Sequence, residues 1–147
     1  MTSEVAHLLR TGLRPVTIGD TDASGLVYYP SIFRWATEEY ETWLRESGFP
    51  LAEILDDNRA TPAVRVEATL HASFGLGTEL ATSLSSLTIG RSSFTVRFEC
   101  RDSHHERLLA VHTTHVFVAI DRPGVGPPKL RAHPLPDTLR NLLASNA

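Results

Sequence analysis

The spacing of apolar and polar positions changes period once along the chain, and that change divides it into a helical part and a stranded part. Phe33, Ala36, Tyr40, Trp43 and Leu44 recur at intervals of three and four, and Ile32 and Trp35 widen the stripe. Glu38, Glu39, Glu41 and Arg45 make up much of the opposite face. Pro30 suits a first helical position, where its missing N–H would have had no intrahelical partner. Gly48 is a natural stop and Pro50 follows it. The pattern predicts a helix of about 18 residues from Pro30, roughly 27 Å long. Its first amides, near Tyr29 and Ser31, carry the positive end of the helix dipole.

Beyond the helix the period becomes two. In Ala63 to Ser73, Val64, Val66, Ala68, Leu70 and Ala72 alternate with Arg65, Glu67, Thr69, His71 and Ser73. Leu80, Thr82 and Leu84 open a second run, and Phe94, Val96, Phe98 and Cys100 form a third. Leu108 to Ile120 is apolar or small on both faces, as a central strand would be. The links FGLG (74–77), IGRS (89–92) and DSHHE (102–106) are short enough to join antiparallel neighbours. Pro15 to Ile18 reads as one further, shorter strand. Arg122 to Pro136 reads as a loop from its proline and glycine content, and Pro136 to Ala144 as a short terminal helix. The expected order is β-α-β-β-β-β, an α+β fold in which one long central helix is wrapped by a five-stranded antiparallel sheet. No repeat or linker divides residues 1–147, and a chain of this length forms one domain that buries roughly 68–70% of its unfolded surface.

Charge and composition narrow the function. A net charge of −3 and a pI near 6.1 argue against a nucleic-acid partner, which calls for a basic face. No apolar stretch approaches the ~20 residues of a membrane span. The opening MTSEVAHLLR lacks the charged start and apolar core of a signal peptide. The single cysteine, Cys100, forms no internal disulfide. A cytoplasmic location is expected.

The candidate chemistry lies in GDTDASGLVYYPSIFRW, residues 19–35. An acidic pair, a glycine turn and a proline-marked helix start follow one another closely. This order sets a carboxylate beside amides without intrahelical partners, which together can attack a carbonyl and hold the charge that develops. A plain Asx turn is the competing reading of Asp22. A calcium loop is excluded, because its twelfth position, which needs a bidentate Glu, is Ser31 behind Pro30. No metal site is expected. His112 and His115 are three apart on a strand and point to opposite faces. His104 and His105 read as an exposed hairpin tip. His71, on the polar side of its strand, reads as structural or as lining a site, and Cys100 as a small buried hydrophobe.

The run Asp20, Thr21, Asp22, Ala23, Ser24, Gly25, Leu26, Val27, Tyr28, Tyr29, Pro30, followed by Arg34 and Trp35 and later by GRSSF at 90–94, resembles the signature of the 4-hydroxybenzoyl-CoA thioesterase family, acyl-CoA thioesterases of hotdog fold. The Tyr-Tyr-Pro form is closer to its aryl-CoA branch than to its short-chain branch. The resemblance implies that Asp22 is the catalytic carboxylate, as nucleophile or general base, and that the backbone N–H of Tyr29 polarises the thioester carbonyl. Asp20 would take a supporting, turn-bonding role. Gly25, Pro30, Arg91 and Ser92 would contact the substrate and its coenzyme A. Arg91 would meet the phosphates, though a solvated turn arginine is an equal reading. No cofactor is implied, coenzyme A being part of the substrate. The family further implies a homodimer joined sheet edge to sheet edge with the site at the seam, or a dimer of such dimers, a homotetramer. The expected activity is hydrolysis of an aromatic acyl-CoA, such as a hydroxybenzoyl thioester. The alternatives are a short-chain acyl-CoA thioesterase and a non-catalytic acyl-thioester-binding protein.

Overall fold

A computed structural model describes residues 6–103 and 109–147. His104 and His105 lie outside the described residues. The elements in chain order are β1 (His7–Pro15), a single 3-10 turn (Ile18–Asp20), α1 (Pro30–Glu46), α2 (Leu51–Asp56), β2 (Arg59–Ala60), β3 (Ala63–Leu70), β4 (Glu79–Ile89), β5 (Ser93–Arg101), β6 (Leu109–Val116), β7 (Val118–Asp121), β8 (Lys129–Ala132) and α3 (Asp137–Leu143). Five strands form the main sheet in the order β1-β4-β5-β6-β3, every neighbouring pair antiparallel. Helix α1 covers one face of it, the α+β arrangement expected from the pattern.

Helix α1 runs for 17 residues and buries Ile32, Trp35, Ala36, Tyr40, Trp43 and Leu44, the aromatic stripe. These pack on Leu80, Leu84, Phe94, Val96, Phe98 and Cys100 from the sheet. The helix ends as the sequence indicates: Gly48 takes φ 78°, a conformation open to glycine at little steric cost, and the Phe49 amide donates to the Leu44 carbonyl at 2.9 Å. Glu39 departs from its expected solvent face. It is buried because Arg10 on β1 reaches it at 2.6 Å.

Four expectations are corrected. The first strand is β1, residues 7–15, and the predicted strand at 15–18 gives way to the 3-10 turn. β1 is an edge strand in which only Leu9 is buried, so its side chains carry no alternating signal. The predicted strand from Leu108 to Ile120 breaks at Phe117, whose amide donates to the Ser92 carbonyl at 2.7 Å. The chain then leaves the main sheet, and β7 pairs with β2 and β8 in a second, three-stranded sheet. Consequently the stretch read as a loop contains β8. Last, α2 gave no signal, since six residues are too few to show a helical period. β3 has the predicted alternation, yet every one of its residues is exposed, because it closes the sheet on the side away from β1 with no strand beyond it.

Candidate active site

The two aspartates before α1 end in opposite surroundings. The Asp20 carboxylate turns inward and is buried. It accepts from the Thr17 amide and the Thr17 hydroxyl, both at 2.9 Å, from Trp35 Nε1 at 3.1 Å, and from Arg34. Burial alone would push this carboxyl up, but the bonds from Thr17, Trp35 and Arg34 outweigh it and hold it at about 2. Its backbone carbonyl accepts from the Tyr28 amide at 2.8 Å and from the Ser31 hydroxyl at 3.1 Å. Asp20 therefore ties the incoming loop to the start of α1, a structural role.

Asp22 is exposed. It opens a tight turn in which the Gly25 amide donates to its carbonyl at 3.0 Å, and its own amide donates to Leu26 at 3.1 Å. Gly25 has φ 79° with open space where a Cβ would stand, so backbone conformation selects glycine there. Ser24 donates to Asp22 Oδ1 through its amide at 2.8 Å and through its hydroxyl. These two bonds hold the Asp22 carboxyl below the usual carboxylate range, so it is ionised at neutral pH. The Asx turn is thus present, and no other residue donates to Oδ2 among the described residues. The turn is fixed from behind, where Val27 donates to Phe74 at 2.9 Å and Leu76 donates to Gly25 at 3.1 Å.

At the head of α1, Tyr29 already has helical angles, φ −54° and ψ −33°, and Pro30 holds the first turn. The Ser31 amide, expected to be open, instead donates to the Tyr28 carbonyl at 2.8 Å, and Ile32 donates to Tyr29 at 3.2 Å. The Tyr29 amide has no acceptor among the described residues. Beside it is a cavity of about 370 Å³ lined by Tyr29, Ile32, Leu70, His71, Ser73 and Phe74. His71, ambiguous in the sequence, is on its wall. A larger cavity of about 540 Å³ is bounded by α1, α2, β3, β5 and β6, with a mostly apolar lining that includes Phe33, Ala36, Val66 and Phe98. It begins at Phe33, roughly 6 Å along the helix axis from Tyr29. Tyr40, Thr61 and His115 also line it. Tyr40 and Thr61 share a hydroxyl–hydroxyl bond of 2.8 Å, and His115 Nδ1 is 2.8 Å from the Thr61 carbonyl.

Arg91 and Ser92 are elsewhere. Their turn leads into β5 at Ser93, which pairs with Val116, whereas Cys100 at the other end of β5 pairs with Leu109 on the wall of the smaller cavity. Those ends are roughly 24 Å apart at ~3.4 Å per residue. Asp22, Gly25, Tyr29 and Pro30 share the segment that enters α1, and Arg91 and Ser92 do not join them. The Arg91 carbonyl accepts from the Leu135 amide at 2.9 Å, while its guanidinium has no partner among the described residues. Burial pushes the Cys100 thiol up to about 12, leaving it unreactive. Among the described residues no three His, Cys, Asp or Glu are grouped to hold a metal ion. Tyr40 and His115 were not recognised as a site from the sequence. Each sits in an apolar run that looks like core, and only the pairing of β6 against α1 sets them face to face, their rings stacked at 4.3 Å.

Residues 16–143 match the Thioesterase-like superfamily. The chain is 32% identical over 116 residues to a 1,4-dihydroxy-2-naphthoyl-CoA hydrolase of Prochlorococcus marinus (strain MIT 9303), covering 74% of this chain and 75% of that protein. The crystal structure of a 1,4-dihydroxy-2-naphthoyl-CoA thioesterase from Synechocystis superposes with a TM-score of 0.79 at 25% identity, covering 95% of this chain and 96% of the other. The 4-hydroxybenzoyl CoA thioesterase of Pseudomonas sp. strain CBS-3, at 21% identity and a TM-score of 0.77, covers 90% of this chain and 97% of its own and shares the fold. With an aromatic helix wrapped by a five-stranded sheet and a family likeness along most of its length, the chain belongs to the Thioesterase-like superfamily of hotdog fold and is a thioester hydrolase.

Proposed function

We propose that the protein hydrolyses an aromatic acyl-CoA thioester in the cytoplasm, with a bicyclic acyl group of the naphthoyl kind. The observation that carries this reading is the unpaired amide of Tyr29, a residue seven positions after an ionised Asp22 and on the wall of a cavity at the head of α1. The thioester oxygen sits at that amide, which is preorganised for the charge of the tetrahedral intermediate. An Asp22 oxygen attacks the acyl carbon, the carbon–sulfur bond breaks, and coenzyme A leaves as the thiolate. Water then cleaves the acyl anhydride to the free acid and restores the carboxylate. The same carboxylate could instead act as general base on the attacking water, since the Ser24 bonds weaken it as a base and as a nucleophile alike. The acyl group runs along α1 into the larger cavity. Its volume of about 540 Å³ and its aromatic walls suit a ring system and exceed what a short acyl chain fills.

A second copy is part of the proposal. The bare edge of β3, with Val64, Val66 and Leu70 exposed, favours sheet-to-sheet pairing. Such a homodimer, alone or doubled into a tetramer, would cover the exposed Asp22 and bring Arg91 and Ser92 of one copy toward the coenzyme bound by the other. The test is thiol release from 1,4-dihydroxy-2-naphthoyl-CoA by wild type and by Asp22→Asn. Loss of at least ~10²-fold in kcat is expected. Undiminished turnover in the variant removes Asp22 from the reaction.

A further inference from the structure

The wall of the larger cavity includes a hydrogen-bonding side chain that is only half satisfied among the described residues. His115 is 7% exposed and packs against Tyr40 at 4.3 Å and Phe94 at 5.2 Å, with both rings nearly parallel to its own. Its Nδ1 faces the Thr61 carbonyl at 2.8 Å. A carbonyl oxygen only accepts, so Nδ1 carries the proton and donates. Burial lowers the basicity of the ring and the bond to Thr61 opposes this only partly, so the imidazole is neutral and Nε2 bears a lone pair. No residue donates to Nε2 among the described residues. The nearby hydroxyls of Tyr40 and Thr61 are occupied with each other at 2.8 Å. The ring belongs to the cavity wall with its Nδ1 edge taken, which leaves the acceptor edge for whatever enters.

We propose that His115 is a specificity-determining residue whose Nε2 accepts a hydrogen bond from a hydroxyl at the far end of the bound acyl group. This rests on the acyl group occupying the larger cavity as described above. Depth sets the substrate class. Tyr40, on which His115 stacks, is eleven residues beyond Tyr29, roughly 16 Å along the helix axis. Helical side chains lean toward the N-terminus and shorten that span. A single hydroxybenzoyl ring held at the Tyr29 amide ends short of His115, whereas a linear bicyclic acyl group with its hydroxyl opposite the thioester reaches toward it. A pocket that presents an unpaired acceptor discriminates against an analogue lacking the matching hydroxyl.

The probes are 6-hydroxy-2-naphthoyl-CoA and 2-naphthoyl-CoA, compared by kcat/KM in wild type, His115→Phe and His115→Gln. Wild type should favour the hydroxylated thioester by roughly tenfold or more. His115→Phe, which keeps the aromatic stack, should bring the ratio near one, and His115→Gln, whose amide oxygen accepts, should restore part of it. The same ratio is read without chemistry by titrating 6-hydroxy-2-naphthoic and 2-naphthoic acids into the Asp22→Asn protein. Equal affinity for the two acids together with equal kcat/KM for the two thioesters in wild type overturns the assignment, as does a preference that survives in His115→Phe. If wild type cleaves neither thioester, the proposed activity falls, while the acid titration still decides for or against His115.

Discussion

Asp20 and Asp22 have a single residue between them, and the fold sets them in unrelated surroundings. Sequence alone ranks them by register with the helix start, but it cannot show that Thr17, Trp35 and Arg34 consume the first and leave an oxygen of the second open. Asp20 carries a prediction about stability. Its carboxyl is lowered from 3.8 to about 2 in the folded protein, so the stabilisation is complete above about pH 4 and is lost as pH falls toward 2. A lowering from 3.8 to about 2 corresponds to roughly 2 kcal/mol. Thermal melts of wild type should fall steeply over that interval, and Asp20→Asn should flatten the fall while lowering the melting temperature at pH 7. Equal slopes in the two proteins would show that another group governs the acid limb. His115 is the counterexample in legibility: its chemistry depends on a carbonyl 54 positions away in sequence, and no local pattern encodes that distance.

Helix α1 was readable from the chain nearly residue for residue, because its amphipathic stripe, its opening proline and its closing glycine all act locally. The strands flanking the chain's turns were readable for the same reason. The elements that escaped, β1, α2, β2 and β8, are short or lie at an edge, where backbone pairing rather than burial of an alternating face decides structure. β3 shows the reverse: a clear alternation whose residues are all exposed. A charge in the middle of that edge should block pairing with another copy. Ala68→Glu is expected to shift the sedimenting species to the single-chain mass while changing folding stability by less than about 0.5 kcal/mol. An unaltered mass would place any association on another surface.

Taken as a whole, the molecule holds Tyr29 near the Leu109 end of the β5–β6 pair and Arg91 near the Ser93 end. That separation follows from strand lengths and connections, which a linear motif does not express, so Arg91 and the Asp22 segment look adjacent in function but not in one chain. If the guanidinium meets coenzyme A phosphates contributed across an interface, Arg91→Ala should raise KM several-fold with kcat little changed, as expected for binding energy shared equally by ground and transition states. A KM equal to that of wild type would make it a solvated turn residue.

Cys100 has a practical consequence. It is the one thiol in the sequence, and it is enclosed behind α1 with its proton held up to about 12. A disulfide dye added to the native enzyme therefore meets no protein sulfur ready to react, and every equivalent of colour it develops is coenzyme A set free.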